Sequence, residues 1–379
     1  MSFSPMGVAL AALSAFLLGI FWIYRGVNMA YQKLALQDQE ASERIKDFVL
    51  NRKNDSGYRP MLVAFGGGTG LSFLLKGIKE FPLRITAVVT VTDDGGSSGR
   101  LRKEMQILPP GDIRNCLVAL SQSESLMAKL FQFRFNEAGE FSGHSFGNLF
   151  IAAMTELLGD FGSAVREASN ILATRGSVVP VTCENIQLKA LFQDGTETIG
   201  ETSITAVKKT ISEIQLIPSE ALPNPEALNA IDQADLIVLG PGSLFTSIIP
   251  NLLVNEISER INKSKAPVVY VCNVMTQPGE TDNFSASDHV SALLEKTPLR
   301  KIDYVVVNSR RAARILMMKY TSQGQSWVPP TVTQIEKRGI KVISGDFLYE
   351  TDLLRHNPGS LAKTLFELIS TAMVVPKDR

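Results

Sequence analysis

Short runs of β-branched and other apolar residues alternate along this chain with stretches in which apolar positions recur every three to four residues. Strands buried on both faces read as continuous apolar runs, and the helices that cover them read as amphipathic stripes, so the alternation predicts a parallel sheet between helices. Buried strands are expected at 61–65, 85–91, 235–239, 268–272 and 304–307, with a shorter one at 342–344. Helical spacing fills 112–120, 146–157, 162–172 and 246–261, and a closing helix runs over 360–374. Between 178 and 217 the pattern changes. Runs at 178–182, 186–192 and 196–199, with Asp194-Gly195 as a hairpin turn, predict a small antiparallel excursion. The expected fold class is α/β: a Rossmann-like, doubly wound, mostly parallel sheet with that excursion between its halves.

The first apolar stretch has a different character. Residues 6–24 carry no charge and crowd Leu10, Leu13, Phe16, Leu17, Leu18, Ile20, Phe21, Trp22 and Ile23 together, with Arg25 next. A run of about 19 residues can just span a bilayer core, and Trp22 and Tyr24 sit where interfacial aromatics lie. Cleaved signal peptides ordinarily start with Lys or Arg, and none precedes this run. A buried core helix would not be apolar on every face. The expectation is an uncleaved transmembrane anchor over 1–28, with the remainder cytoplasmic by the positive-inside rule. Residues 29–57 read as a juxtamembrane helix ending in the linker Asn54-Asp55-Ser56-Gly57. A single globular domain is then expected over 58–379.

Composition excludes several classes. Lys plus Arg equals Asp plus Glu at 38 each, so no basic excess points to nucleic acid. Cys116, Cys183 and Cys272 lie far apart with no C-x-x-C pair, which predicts a reduced compartment without structural zinc or disulfides. Three histidines are too few for a His-rich metal site.

Candidate chemistry lies in the loops after the strands, where open α/β sheets bind ligands. The first strand runs into Gly66-Gly67-Gly68-Thr69-Gly70 and then a helical pattern with Leu74, Leu75 and Ile78. Glycines let backbone N–H groups face an anion, and a helix start adds partial positive charge. The turn is not a Walker A loop, because no Lys follows Gly70. It also misses G-x-G-x-x-G, whose last position would be Leu71 or Phe73. Alone it reads equally as a phosphate cradle or a tight turn. Leu239-Gly240-Pro241-Gly242-Ser243 repeats the strand–glycine–helix logic, and two such cradles can flank one phosphorylated ligand.

Asp93-Asp94-Gly95-Gly96-Ser97-Ser98-Gly99-Arg100 follows the second strand. Its carboxylates can hold a divalent cation, accept sugar hydroxyls or act as a base, and Ser97, Ser98 and Arg100 can contact phosphate. The bland reading is a solvated loop capped by its own Asp side chains. Asp112 is either a helix cap or a site residue, and Arg114 either a phosphate clamp or a surface charge. In Gly143-His144-Ser145-Phe146-Gly147-Asn148, His144 at a helix start can donate as a neutral ring and Ser145 can cap. No nucleophile elbow and no Ser/His/Asp triad is evident. Asn273, Thr276 and Gln277 after the fourth strand offer neutral hydrogen bonds suited to a base or sugar. Arg355-His356 can reach a phosphate or form a surface pair.

In this order, together with Gly111-Asp112-Ile113-Arg114-Asn115, Asn251 and the run from Cys272 to Thr281, these motifs resemble the YvcK-type gluconeogenesis factors, a branch of the CofD-like superfamily, over 61–355. The resemblance implies a Rossmann-like core that binds a UDP-sugar such as UDP-N-acetylglucosamine. It implies a regulator of cell shape and envelope carbon flow during gluconeogenic growth, without clear turnover, with no required cofactor and with self-association into a homo-oligomer. Thr69, Asn251 and Arg355 would contact the nucleotide sugar. The full expected ligand-binding set is Gly66, Gly67, Gly68, Thr69, Gly70, Asp93, Asp94, Ser97, Arg100, His144, Asn148, Gly240, Gly242, Ser243, Asn251, Asn273, Thr276 and Arg355. The CofD branch implies instead a Mg²⁺-dependent transferase that moves a phospholactate-type group from a guanylated donor onto a deazaflavin, with its acidic turn on Asp93 and Asp94. Two features depart from the family. Its members lack the apolar N-terminus, which makes this chain a membrane-anchored variant. The segment 309–314 is also unusually basic, suited either to anionic lipid headgroups or to a solvated face.

Overall fold

A seven-stranded, wholly parallel sheet organises the computed structural model of the protein. The structure describes residues 58–374, apart from 123–125, 136–138, 140 and 351–352. The strands are β1 (Met61–Gly66), β2 (Arg84–Val89), β3 (Ser177–Pro180), β4 (Gln187–Phe192), β5 (Glu197–Ile199), β6 (Ile211–Ile217), β7 (Leu236–Leu239), β8 (Val268–Val271), β9 (Tyr304–Asn308), β10 (Lys341–Gly345), β11 (Leu348–Glu350) and β12 (Leu354–His356). The main sheet runs β10-β9-β8-β7-β1-β2-β3. One half of the chain winds outward through β1, β2 and β3 and the other through β7 to β10, so the winding reverses between β1 and β7. Every residue of β1, β7 and β8 is buried, as expected of strands covered on both faces.

The run expected at 178–182 as part of an antiparallel excursion belongs to the main sheet, where β3 pairs parallel with β2. An apolar run announces a strand but does not say which sheet receives it. The antiparallel sheet is β5-β4-β6, with β6 supplying the third strand. The β4–β5 hairpin does turn at Asp194-Gly195, where Thr196 N–H donates to Asp194 at 3.0 Å. The helix expected over 246–261 is interrupted. A π-turn over Leu244–Ile248 leads into Ile249–Leu253, Val254 becomes extended, Glu256 takes a φ of 61°, and a separate helix forms over Ile257–Lys263. The segment expected as an acidic loop is helical from Gly96 to Met105.

The first helix, Gly68–Ile78, packs between Gly111–Leu120 and the closing helix Pro358–Val374. Near the C-terminus the β11–β12 hairpin and the helix Arg314–Ser322 enclose a small core of Val274, Met275, Ala312, Tyr320, Leu348 and Leu354. The anchor expected over 1–28 and the juxtamembrane helix over 29–57 lie outside the described residues. Among the described residues no helix is long and apolar enough to cross a membrane.

Candidate functional site

Because β1 and β7 are hydrogen-bonded neighbours, the two glycine-rich turns that leave their carboxyl ends stand side by side. Gly240 N–H donates to Phe65 C=O at 2.8 Å, and Gly240 holds a φ of 84°, which favours a residue without Cβ. Behind the turns Asn251, fully buried, donates from Nδ2 to Gly66 C=O at 3.1 Å and to Ser247 C=O at 2.7 Å. It ties one turn to the helix that follows the other.

In front of the turns lies a cleft of about 510 Å³. The first turn of the Gly68–Ile78 helix forms one wall through Gly68, Thr69 and Gly70, and Gly242 and Ser243 form the next. The loop after β8 contributes Asn273 and Thr276. Asn273 Nδ2 donates to Gly242 C=O at 2.8 Å, fixing loop to turn. Thr276 is held by Ser326, to whose C=O its N–H donates at 2.8 Å. At the far side Arg355, on β12, lays its guanidinium 4.3 Å over the Phe73 ring. Tyr320 and His356 also line this end. Tyr320 Oη accepts the Leu354 N–H at 2.8 Å, and His356 Nε2 meets Cys272 C=O at 3.1 Å, with burial holding the ring down at about 4 and so neutral.

Carboxylates crowd the inner part of the cleft. Asp112, in the first turn of Gly111–Leu120, lies directly behind Gly67 and Gly68 and accepts a backbone hydrogen bond from Gly68. Enclosure, reinforced by the charge of Asp93, pushes its carboxyl up to about 7, against the pull of Gly68 and Arg114. Burial pushes Glu201 well above the usual carboxylate range, with Asp112, Asp93 and Glu280 adding to the shift. Burial also raises Glu280, which accepts hydrogen bonds from the Ser243 hydroxyl and the Phe245 backbone. An acidic set placed this way takes up protons or a cation more readily than separate carboxylates do. Among the described residues, however, no three His, Cys, Asp or Glu side chains are grouped to hold a metal ion.

The neighbouring Asp93 and Asp94 do not act as a pair. Asp94 turns to the helix Glu201–Val207 and accepts from Thr202 N–H at 2.8 Å and Thr202 Oγ1 at 2.6 Å. Asp93 accepts from Gly95 N–H at 2.9 Å and faces Asp112. The expected alternative of a cation shared by both carboxylates therefore meets divergent side chains. Ser97, Arg100, His144 and Asn148 stand behind the cleft rather than in its lining. Ser97 Oγ meets His144 Nδ1 at 3.0 Å and accepts from Asn148 Nδ2 at 3.1 Å. Arg100 donates to Ser142 C=O at 2.7 Å. Arg114 donates to Ser145, and burial together with Arg134 lowers its guanidinium to about 10. Ser145 caps the helix Phe146–Leu158 as the sequence allowed.

Of the expected set, Gly68, Thr69, Gly70, Gly242, Ser243, Asn273, Thr276 and Arg355 line one cleft, and Gly66, Gly67 and Gly240 shape its turns. The lining also includes Phe73, Glu201, Thr205 and Glu280, none of which was expected from the sequence. Glu280 lies in the run from Cys272 to Thr281, and Phe73 one turn into the first helix. Glu201 and Thr205 gave no signal, because only Ile204 of their helix is buried.

A family model described as 2-phospho-L-lactate transferase CofD matches residues 62–348. The chain is similar to the gluconeogenesis factor of Bacillus subtilis (strain 168), with 46% identity over 83% of this chain and 99% of that one. It is also similar to the gluconeogenesis factor of Halalkalibacterium halodurans, with 47% identity over 81% of this chain and 95% of that one. Among solved structures, a crystal structure of a UPF0052-family protein from Bacillus halodurans superposes with a TM-score of 0.79 at 46% identity, covering 82% of this chain and 99% of that chain.

Proposed function

Since this chain belongs to the CofD family, in the company of the gluconeogenesis factors, we propose that it binds a UDP-sugar of the UDP-N-acetylglucosamine kind and regulates cell shape and envelope carbon flow. The observation that carries this reading is the abutment of the two glycine turns at the point where the sheet winding reverses, with Arg355 across the cleft. In this reading the diphosphate rests on the N-terminal turn at Gly68–Gly70, where N–H groups and the helix end together favour an anion. The Arg355–Phe73 pair offers a flat cationic face to the base, and Asn273 supplies a neutral contact. No side chain in the lining is set up as an activated nucleophile, which supports binding without turnover. The uncharged run at 6–24 tethers the protein to a membrane, and a chain starting at Tyr58 is then expected to remain soluble where the full chain pellets with membranes.

One observation favours a second reading, a Mg²⁺-dependent transferase of the CofD type. Asp112 and Glu201 stand in the cleft with raised proton affinity, and Mg²⁺ is commonly held by one or two carboxylates plus ligand phosphates. Those two residues would hold the ion, whose chemistry there is to neutralise charge on a transferring group. Calorimetric titration with UDP-N-acetylglucosamine, with and without Mg²⁺, separates the readings. Heat without Mg²⁺ is expected. Absence of heat with every UDP-sugar, alongside product formation that needs a deazaflavin, would sink the regulator.

A further inference from the structure

We propose that the outer face of the helix Arg314–Ser322 is a docking surface for an anionic lipid bilayer, independent of what the cleft binds. The helix has two sides. Leu316, Met317 and Tyr320 turn inward to the small C-terminal core, and Tyr320 reaches the cleft. On the outer side Ile315 is 83% exposed and Met318 64% exposed. Tyr349 of β11 stays 46% exposed on the hairpin that shares this core. Arg311, Arg314 and Lys319 are exposed beside them.

The charges select the occupant. The two described acids on the facing strand and turn, Asp346 and Glu350, are both taken by Arg310, at 2.8 and 2.6 Å. Arg311 lies 4.8 Å over the Trp327 ring, a partner that carries no charge to cancel its own. What remains outward is large apolar side chains among cations, the combination that inserts at an anionic interface. A protein partner of the same chemistry would need an acidic apolar face. The chain itself supplies the argument for lipid. Its uncharged run at 6–24 is long enough for a bilayer, and the intervening residues 25–57 reach about 100 Å when extended.

The test uses the full chain carrying Cys183→Ser and Ile315→Cys labelled with a nitrobenzoxadiazole fluorophore. It is mixed with vesicles of phosphatidylcholine alone or with equal parts of phosphatidylglycerol. A blue shift with a severalfold rise in emission is expected on the phosphatidylglycerol vesicles, and little change on phosphatidylcholine. The same label at Leu126→Cys, an exposed position on another helix, is expected to stay unchanged. Adding Arg314→Glu is expected to abolish the response at 315 while the chain still sediments with the vesicles. No response at 315, an equal response at 126, or a response that survives Arg314→Glu would overturn the proposal.

Discussion

Gly70 lies against the backbone of Pro241 so closely that a Cβ at position 70 would overlap the Pro241 carbonyl and come within 2.9 Å of Gly242 Cα. One turn is the wall of the other, and no flexible side chain is available to yield. Gly70→Ala is expected to force the turns apart, with a strain cost of about 1–3 kcal/mol. The thermal midpoint falls and UDP-sugar affinity falls at least tenfold. A lower midpoint with unchanged affinity would place the ligand elsewhere.

Arg355 stacks on Phe73 at the open end of the cleft, and both remain partly exposed. Truncation there therefore costs little stability. Arg355→Ala is expected to weaken UDP-sugar binding by about 1–3 kcal/mol, the scale of a charged hydrogen bond and a cation–π contact. Thr69→Ala is expected to do the same on the opposite wall. Calorimetry on both variants checks this, and unchanged affinity in both refutes the assignment of the cleft.

The same two walls were legible in the sequence because each couples three signals: a fully apolar strand, glycines and a helical pattern. The parts that were not legible lack such coupling. In the helix Gly96–Met105 only Leu101 is a large buried apolar residue short of its end, and Ser97, Ser98 and Gly99 are buried by close packing and hydrogen bonds. A segment so rich in Gly and Ser reads as a loop. Asn251 carried a binding expectation from family resemblance, whereas its partners are the Gly66 and Ser247 carbonyls, a contact over 185 residues that no local pattern encodes. Likewise β3 announced itself as a strand without announcing its neighbour β2.

Asn251→Ala follows from that contact. Removing the amide leaves the Gly66 carbonyl without its buried donor, at a cost of about 1–3 kcal/mol. A lower thermal midpoint is expected together with weaker binding. A residue that only touched ligand would lose affinity with the midpoint unchanged, so calorimetry and a melting scan on one variant distinguish the roles.

Asp94→Ala is expected to act through the helix Glu201–Val207, whose Thr202 N–H loses its acceptor. Loss of a capping carboxylate costs about 0.5–2 kcal/mol. Because Glu201 and Thr205 of that helix line the cleft, affinity falls modestly, equally with and without Mg²⁺. A loss seen only when Mg²⁺ is present would return Asp94 to the role of metal ligand.

Asp112 gives the site a pH dependence whose sign can be worked out. Its carboxyl titrates near 3.8 when unfolded and near 7 when folded. Between these values the folded protein holds the proton and the unfolded chain does not, so stability falls as pH rises from about 4 to about 7. Each tenfold difference in proton affinity between the two states is worth about 1.4 kcal/mol. Asp112→Asn removes the slope, and its gain in thermal midpoint is expected to be larger at pH 8 than at pH 5. Binding should follow the same direction, because an ionised Asp112 behind Gly68 opposes a phosphate placed on that turn. Asp93, Glu201 and Arg114 also act on this carboxyl or its neighbours. Affinity measured from pH 5.5 to 8.5 is expected to drop through about 7 in the parent and to flatten in Asp112→Asn. A drop of the same size and midpoint in the variant would assign the titration to Glu201 instead.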